Sequence, residues 1–135
     1  MHIELARRRG EPLAQNLTIR SHQFVVDGSV AEGGTDAGPS AHDLYDAALG
    51  ACKALTLMWY ARRKGLPVED VRTVVERDDS QERAGTYRLA ARLQVSGELS
   101  DAQLKELETV LGKCPVHKLM TTVTTEITTT VERLP

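Results

Sequence analysis

The sequence lacks any long apolar run, and it has no marked excess of charge of either sign. No stretch reaches the roughly 18 apolar residues that a membrane-spanning helix needs. The N-terminal segment, residues 1–4, has none of the apolar core of a signal peptide. We therefore expect no membrane partner and a cytoplasmic location. Lysine and arginine number 17 against 19 acidic residues, a formal net charge of −2, so no overall basic surface indicates a nucleic-acid partner.

Cysteine is also scarce, since the 135 residues include only Cys52 and Cys114. Purely structural disulfides are rare in the cytosol, so two cysteines there indicate reactive, metal-binding or simply buried side chains. The sequence has no Cys-x-x-Cys pair, no G-x-G-x-x-G, no phosphate-binding loop and no G-x-S-x-G motif. We expect no cofactor and no resident metal.

What the chain does contain is typical of one domain, residues 1–135, long enough to bury a core. Alternating apolar residues predict strands within residues 2–28, 69–77 and 86–95. Helical patterns begin at Ser40 and at Ser100. The threonine-rich segment 121–131 predicts a last strand, because β-branched side chains suit a pleated sheet. This order of elements indicates an α+β fold with a largely antiparallel sheet.

The first predicted helix, from Ser40 to about Lys64, is apolar around nearly its whole circumference. Gly65 and Pro67 are expected to end it. A helix that is apolar on all sides is buried on all sides, and a single chain of this length can hardly surround it. We therefore expect a second copy of the chain to help cover it, in an intertwined homodimer.

The two cysteines have different predicted surroundings. Cys52 lies inside the long helix, where a free cysteine is often only a small buried hydrophobe. Cys114 precedes Pro115, a residue suited to the first position of a helix. That position would place Cys114 at a helix N-terminus, where exposed N–H groups favour a thiolate. Lys113 and His117 add positive character, so Cys114 has the surroundings of a reactive cysteine.

His42 and Asp43 occupy the first turn of the long helix, ten and nine residues before Cys52. The separation is about 15 Å along the helix axis, too far for direct contact within one chain. The two side chains could reach the site of a partner chain in a dimer. Asp43 could instead only cap the helix, and His42 could be a surface residue.

Two segments of the chain carry a resemblance to a known family. The first is residues 33–44, GGTDAGPSAHDL, running into residues 47–52, AALGAC, which ends at Cys52. The second is residues 113–117, KCPVH, which contains Cys114. Together with the order of elements, these segments resemble the OsmC/Ohr family of hydroperoxide-reducing proteins, over roughly residues 15–132.

The resemblance implies an OsmC-like intertwined homodimer, with two long helices packed centrally, sheets outside and two active sites at the interface. It also implies a thiol-dependent peroxidase that acts on organic hydroperoxides in oxidative-stress defence. Cys52 would attack the peroxide and become a sulfenic acid, and Cys114 would resolve it as a disulfide. An external dithiol reductant would then restore both thiols.

The chain departs from the family at the position that activates the first cysteine. The best-studied members have a glutamate ten residues before that cysteine, where it holds an activating arginine. Here the position is His42, with Asp43 beside it. Among the arginines of the N-terminal strands, Arg20 and residues 7–9, we expect Arg20 to be the activating cation, held by an acid such as Asp43.

Two alternatives to a peroxidase remain at this stage. Cys52, Cys114 and His117, with His42 as a further ligand, are a Cys/His set suited to zinc. A dimer that keeps the fold without efficient peroxidase activity, in a structural or small-molecule-binding role, is the other.

Overall fold

The computed structural model describes all residues, Met1–Pro135, and confirms the predicted α+β class. The strands are β1 (Ile3–Arg7), β2 (Gln15–Ile19), β3 (His22–Val26), β4 (Asp70–Asp78) and β5 (Arg88–Ser96). The helices are α1 (Ala41–Lys64), α2 (Asp101–Leu111) and α3 (Pro115–Thr121), and a single 3-10 turn covers Val30–Glu32. None of these helices combines the length and the apolar character needed to cross a membrane.

The strands form two separate sheets. β1, β2 and β3 make an antiparallel meander in which Leu17 lies opposite both Leu5 and Phe24. β4 and β5 form a two-stranded sheet, and their alternating apolar residues are the reason that the sequence predicts both strands. The strands predicted within 2–28, 69–77 and 86–95 are therefore confirmed.

Contacts between residues divide the chain into two compact units. The first unit contains Met1–Ala48 and Val75–Ala90, and the second contains Leu49–Val74 and Ala91–Pro135. Three elements, α1, β4 and β5, contribute residues to both units. The expectation of a single domain over the whole chain stays a prediction.

In the first unit, a buried aspartate organises the loop that leads into α1. The Asp27 carboxylate accepts hydrogen bonds from the backbone N–H of Gly28, Thr35 and Ala37 and from the Thr35 hydroxyl, at 2.8–3.1 Å. These bonds, that of the Ala37 N–H foremost, hold the pKa of Asp27 below its ordinary value. Because one carboxylate satisfies several loop donors, the glycine-rich segment has a defined path to the start of α1.

The predicted ends of α1 are confirmed. The Ser40 hydroxyl accepts from the Asp43 N–H at 3.1 Å, while Asp43 accepts from the Ser40 N–H at 2.9 Å, a reciprocal cap. At the other end, Gly65 adopts a φ of +68°, a conformation that stops a helix at low steric cost. The apolar middle of α1 is thereby fixed between two sequence-encoded boundaries.

The core of the second unit lies between α1, α2 and the β4–β5 sheet. Leu57 of α1 and Leu107 and Leu111 of α2 are buried together. Partly buried side chains from α1, the segment after it and both strands pack against them: Tyr60, Leu66, Val68, Val71, Leu93 and Val95. This cluster fixes the position of the α2–α3 corner against α1.

The strand predicted over 121–131 is wrong for the single chain. Thr121 is the last residue of α3, and no helix or strand follows it. A strand requires a neighbour whose backbone pairs with its N–H and C=O groups, and within the chain no strand pairs with this segment. Residues from 122 onward are exposed, including Ile127 and Val131.

A close backbone approach joins the end of β5 to the segment after α1. Gly97 has a φ of +125°, and a Cβ placed there would lie 1.9 Å from the Pro67 carbonyl oxygen. Gly85 has a similar φ of +100°, but a Cβ there would meet nothing within 4 Å. A comparison of substitutions at the two glycines therefore distinguishes the cost of backbone strain from the cost of a steric clash.

We predict that Gly97→Ala lowers the free energy of unfolding by at least about 2 kcal/mol more than Gly85→Ala does. Each substitution carries the backbone strain of a positive φ, about 1–3 kcal/mol, but only Gly97→Ala also displaces a backbone carbonyl. Urea denaturation of both variants measures the difference. Equal losses of stability would contradict the close approach at Pro67.

Candidate active site

Both cysteines lie near the N-terminus of α3. Cys52 Sγ of α1 accepts a hydrogen bond from the backbone N–H of Val116, at 3.4 Å. Cys114 is the residue that precedes α3, with an extended φ of −64° and ψ of 148°, and Pro115 follows it as the first helical residue. The predicted place of Cys114 at a helix N-terminus is thus confirmed.

The cysteines differ in accessibility. Both are free thiols in the structure; Cys52 is partly exposed, whereas Cys114 is only 1% exposed. An external reagent therefore reaches Cys52 more easily than Cys114. The Cys114 side chain forms no capping hydrogen bond with α3, so its sulfur is not committed to a purely structural cap.

Lys53 is a buried cation beside this pair that the sequence reasoning did not single out. Its side chain is 8% exposed, and its Nζ donates to the Leu111 carbonyl oxygen at 2.7 Å. The same nitrogen lies 3.0 Å from Nδ1 of His117, on α3. The sequence does contain a signal for this residue, because Lys53 is a lone lysine next to a cysteine in an otherwise apolar stretch of the helix. His117, a predicted supporting residue, thus contacts the residue after Cys52.

A cleft in the second unit borders this region. Its volume is about 610 Å³, within the range of small-molecule sites. Its lining is mostly aliphatic, with three charged side chains, Lys53, Arg92 and Glu108.

In the first unit, Asp43 is paired with an arginine, but with Arg77 rather than Arg20. Arg77 Nη2 donates to Asp43 Oδ1 at 2.7 Å, and Arg77 Nε donates to Asp46 Oδ2 at 2.5 Å. Hydrogen bonds from Ser40 and then Arg77 hold the pKa of Asp43 below its ordinary value. The hydrogen bonds that Arg77 donates to Asp46 and Asp43 raise the pKa of Arg77. Arg77 is the second residue after Val75 on β4, a position that the sequence reasoning passed over.

Tyr87 and His42 lie beside this ionic network. The Tyr87 hydroxyl donates to Asp46 Oδ1 at 2.6 Å; burial, and then this bond, raise the pKa of Tyr87 to about 12. His42 packs edge-on against Tyr87 and lies 2.9 Å from Glu82 Oε1 through its Nε2. His42 is therefore a surface residue with an acidic neighbour in the single chain.

Arg20 lies at the turn between β2 and β3, where it adopts a φ of +54°. Its side chain is exposed and lines a small cleft of about 440 Å³ together with Met1, His2, Glu4 and Thr18. The hydrogen bond to Cys52 Sγ comes from a backbone N–H and not from this or another guanidinium.

The structure brings Cys52, Cys114 and His117 into one region of the second unit, whereas Arg20, His42 and Asp43 belong to the first unit. No group of three or more histidine, cysteine or acidic side chains is arranged to hold a metal ion.

Comparison with known proteins assigns the chain to a family. The sequence profile of the OsmC-like protein family matches residues 33–130, which span both motifs and both cysteines. The chain belongs to the OsmC-like family. None of the curated proteins matches the sequence significantly.

Solved structures share the fold at low sequence identity. An osmotic stress induced and detoxification response protein from Psychrobacter arcticus has a TM-score of 0.72 at 19% identity, over 87% of this chain and 85% of that one. The organic hydroperoxide resistance protein OsmC from Legionella pneumophila has a TM-score of 0.66 at 15% identity, over 90% and 88%. OhrB of Bacillus subtilis, an organic hydroperoxide resistance protein, has a TM-score of 0.57 at 19% identity, over 90% of each chain. These likenesses show the fold.

Proposed function

We propose that this protein is a thiol-dependent peroxidase that reduces organic hydroperoxides through Cys52 and Cys114, in defence against oxidative stress. Family membership and the fold shared with organic hydroperoxide resistance proteins support this class of activity. The observation that carries the proposal is that both cysteines lie at the start of α3. Cys52 Sγ accepts the Val116 N–H there, two residues after Cys114.

The surroundings of each sulfur suit a different step. The partly exposed Cys52 is open to a peroxide, and a backbone donor aimed at its sulfur stabilises negative charge on it. The Cys52 thiolate attacks the O–O bond, takes one oxygen as a sulfenic acid and releases the other with the alcohol. Cys114, shielded from solvent, then displaces the hydroxyl as water to form the disulfide. An external dithiol reduces that disulfide.

The working form of the protein in this proposal is a homodimer. Within one chain, α1 exposes Ala51, Leu55, Met58 and Trp59, which follow one another at helical spacing along one side. Leu55 is 71% and Trp59 59% exposed, a costly arrangement in water. Cys52 lies three residues before Leu55 and so on the same side of the helix. A second copy that covers this stripe would close over Cys52, which puts the active site at the interface.

The exposed tail supports the same partner. Val123, Ile127 and Val131 share one face of an extended chain, since they are separated by even numbers of residues. They are 49%, 79% and 97% exposed, and no strand in the chain pairs with them. A neighbouring copy would supply both a sheet edge for the backbone and an apolar surface for these side chains.

The activating cation in this proposal is Arg20. Asp43, the acid that was expected to hold Arg20, bonds Arg77 instead, and Arg77 also bonds Asp46. Arg20 is exposed and forms no ion pair within the chain, so its guanidinium is free to contact a partner chain. In an intertwined dimer it would act across the interface, with His42 and Asp43 in supporting positions.

A second candidate function is an OsmC-fold dimer without efficient peroxidase activity. It is favoured by the bonding of Asp43 to Arg77, because Cys52 then has a backbone donor but no guanidinium bonded to its sulfur. Steady-state turnover with an organic hydroperoxide and a dithiol separates the two candidates.

We predict that stoichiometric organic hydroperoxide converts the reduced protein to a form with a Cys52–Cys114 disulfide, seen as a linked peptide by mass spectrometry. Cys52→Ser should abolish all turnover, whereas Cys114→Ser should still consume one equivalent of peroxide. The asymmetry follows because only Cys52 attacks the peroxide. Equal loss of the first oxidation in both variants, in single-turnover assays, would refute these roles.

We predict that Arg20→Ala slows alkylation of Cys52 by iodoacetamide at pH 7 by about tenfold, the effect of ~1.4 kcal/mol of lost thiolate stabilisation. Arg20→Lys keeps the charge and should retain most of the rate. Alkylation is followed in the Cys114→Ser background, so that only Cys52 reacts. An unchanged rate in Arg20→Ala would remove Arg20 from the site.

We predict that Leu55→Asp raises the dissociation constant of the dimer at least tenfold, or by about 1.4 kcal/mol, because it buries a charge at the interface. Lys64→Asp, at the exposed end of the same helix, serves as the control and should leave the dimer intact. Sedimentation velocity at micromolar concentration gives the association state. A stable, well-folded wild-type monomer under these conditions would contradict the dimer.

A further inference from the structure

Lys53 is the least expected side chain near the cysteine pair. Lysine is almost never fully buried unless its ammonium is paired, yet Lys53 is 8% exposed and forms no ion pair with a carboxylate. Its two partners are the Leu111 carbonyl oxygen at 2.7 Å and His117 Nδ1 at 3.0 Å. Methionine would fill a similar volume at a lower desolvation cost. A buried cation without a carboxylate therefore calls for a role besides packing.

The two partners lie on either side of Cys114 in the sequence. Leu111 is the last residue of α2, three residues before Cys114, and His117 belongs to α3, three residues after it. Lys53 itself directly follows Cys52 on α1. One side chain thus ties both ends of the segment 111–117, which carries Cys114, to the residue next to Cys52.

We propose that Lys53 is a positioning residue for the Cys52–Cys114 disulfide, a role that rests on the proposed function of the pair. By holding the Leu111 carbonyl and the His117 ring, it keeps the α2–α3 corner, and with it Cys114, within reach of Cys52. An ammonium has donors only, so in this proposal Lys53 Nζ donates to Nδ1 of His117. The structure shows both bonds of Lys53 in the dithiol state.

The step that Lys53 serves is the closing of the disulfide. Cys114 Sγ attacks the sulfenic sulfur of Cys52; an S–S bond forms, the S–O bond breaks, and the hydroxyl leaves as water with the Cys114 proton. The same bond forms without peroxide when oxidised glutathione takes up two electrons and two protons from the two thiols and becomes two reduced glutathiones. The equilibrium constant of this exchange gives the effective concentration of one thiol at the other. That concentration is higher when the two sulfurs are already held close together.

The test is the equilibrium of the wild-type protein and two lysine variants with glutathione redox buffers, the disulfide being quantified by mass spectrometry. Lys53→Met removes both bonds at similar volume, and we expect it to lower the effective concentration of the pair at least about tenfold. Lys118→Met makes the same change on an exposed lysine of α3 and should match the wild type. A wild-type equilibrium in Lys53→Met would overturn the role of Lys53.

A second pair of variants decides the matter if reduced Lys53→Met is not folded by circular dichroism. His117→Leu removes the acceptor of Lys53, whereas His117→Asn offers a side-chain oxygen near the position of Nδ1. We expect a lowered effective concentration in His117→Leu and a value close to wild type in His117→Asn; equal values in the two would overturn the tether. A wild-type protein that forms no Cys52–Cys114 disulfide in any buffer would instead overturn the proposed function.

Discussion

The constraint on which the structure depends is the covering of α1. This 24-residue helix begins at a reciprocal Ser40–Asp43 cap and ends at Gly65, so its length is fixed locally before any tertiary contact forms. One side of its second half is covered by the core of α2 and the β4–β5 sheet, around Leu57. The other side, with Leu55 and Trp59, is not covered within the chain. Cys52, partly exposed, lies between the covered and the uncovered sides of this helix.

Polar side chains on α1 form contacts of different kinds in the two units. In the first, Asp43 and Asp46 hold Arg77, and Tyr87 donates to Asp46. In the second, Lys53 bonds a carbonyl and an imidazole. Each network is internally satisfied, as buried polar groups must be. The Arg77 network pairs opposite charges, whereas Lys53 has no carboxylate partner in the unit that contains both cysteines.

The sequence predicted those features that depend on local chemistry. The α1 boundaries, the place of Cys114 before Pro115 and the alternating strands follow from capping, proline geometry and periodicity, each of which acts over a few residues. The ionic partners could not be predicted in this way. Asp43 and Arg77 are 34 positions apart in the sequence, and Lys53 and His117 are 64 apart. Nothing in the spacing of such residues distinguishes Arg77 from Arg20, because the choice depends on which strand packs beside the start of α1.

The threonine-rich tail shows the opposite failure, since its composition indicates a strand that the chain alone does not form. β-Propensity describes how well a side chain fits a pleated, half-buried surface, and it needs a neighbouring strand to take effect. The tail has the side chains for a strand but no partner edge within the chain. The uncovered side of α1 has apolar side chains suited to a core, but no other element of the chain packs against them. Both deficits concern apolar groups, and one symmetric partner can satisfy them together because each copy offers the same helix and the same tail. The two apolar segments at which the sequence and the single chain disagree, one side of α1 and the tail, are those that the proposed second copy would cover.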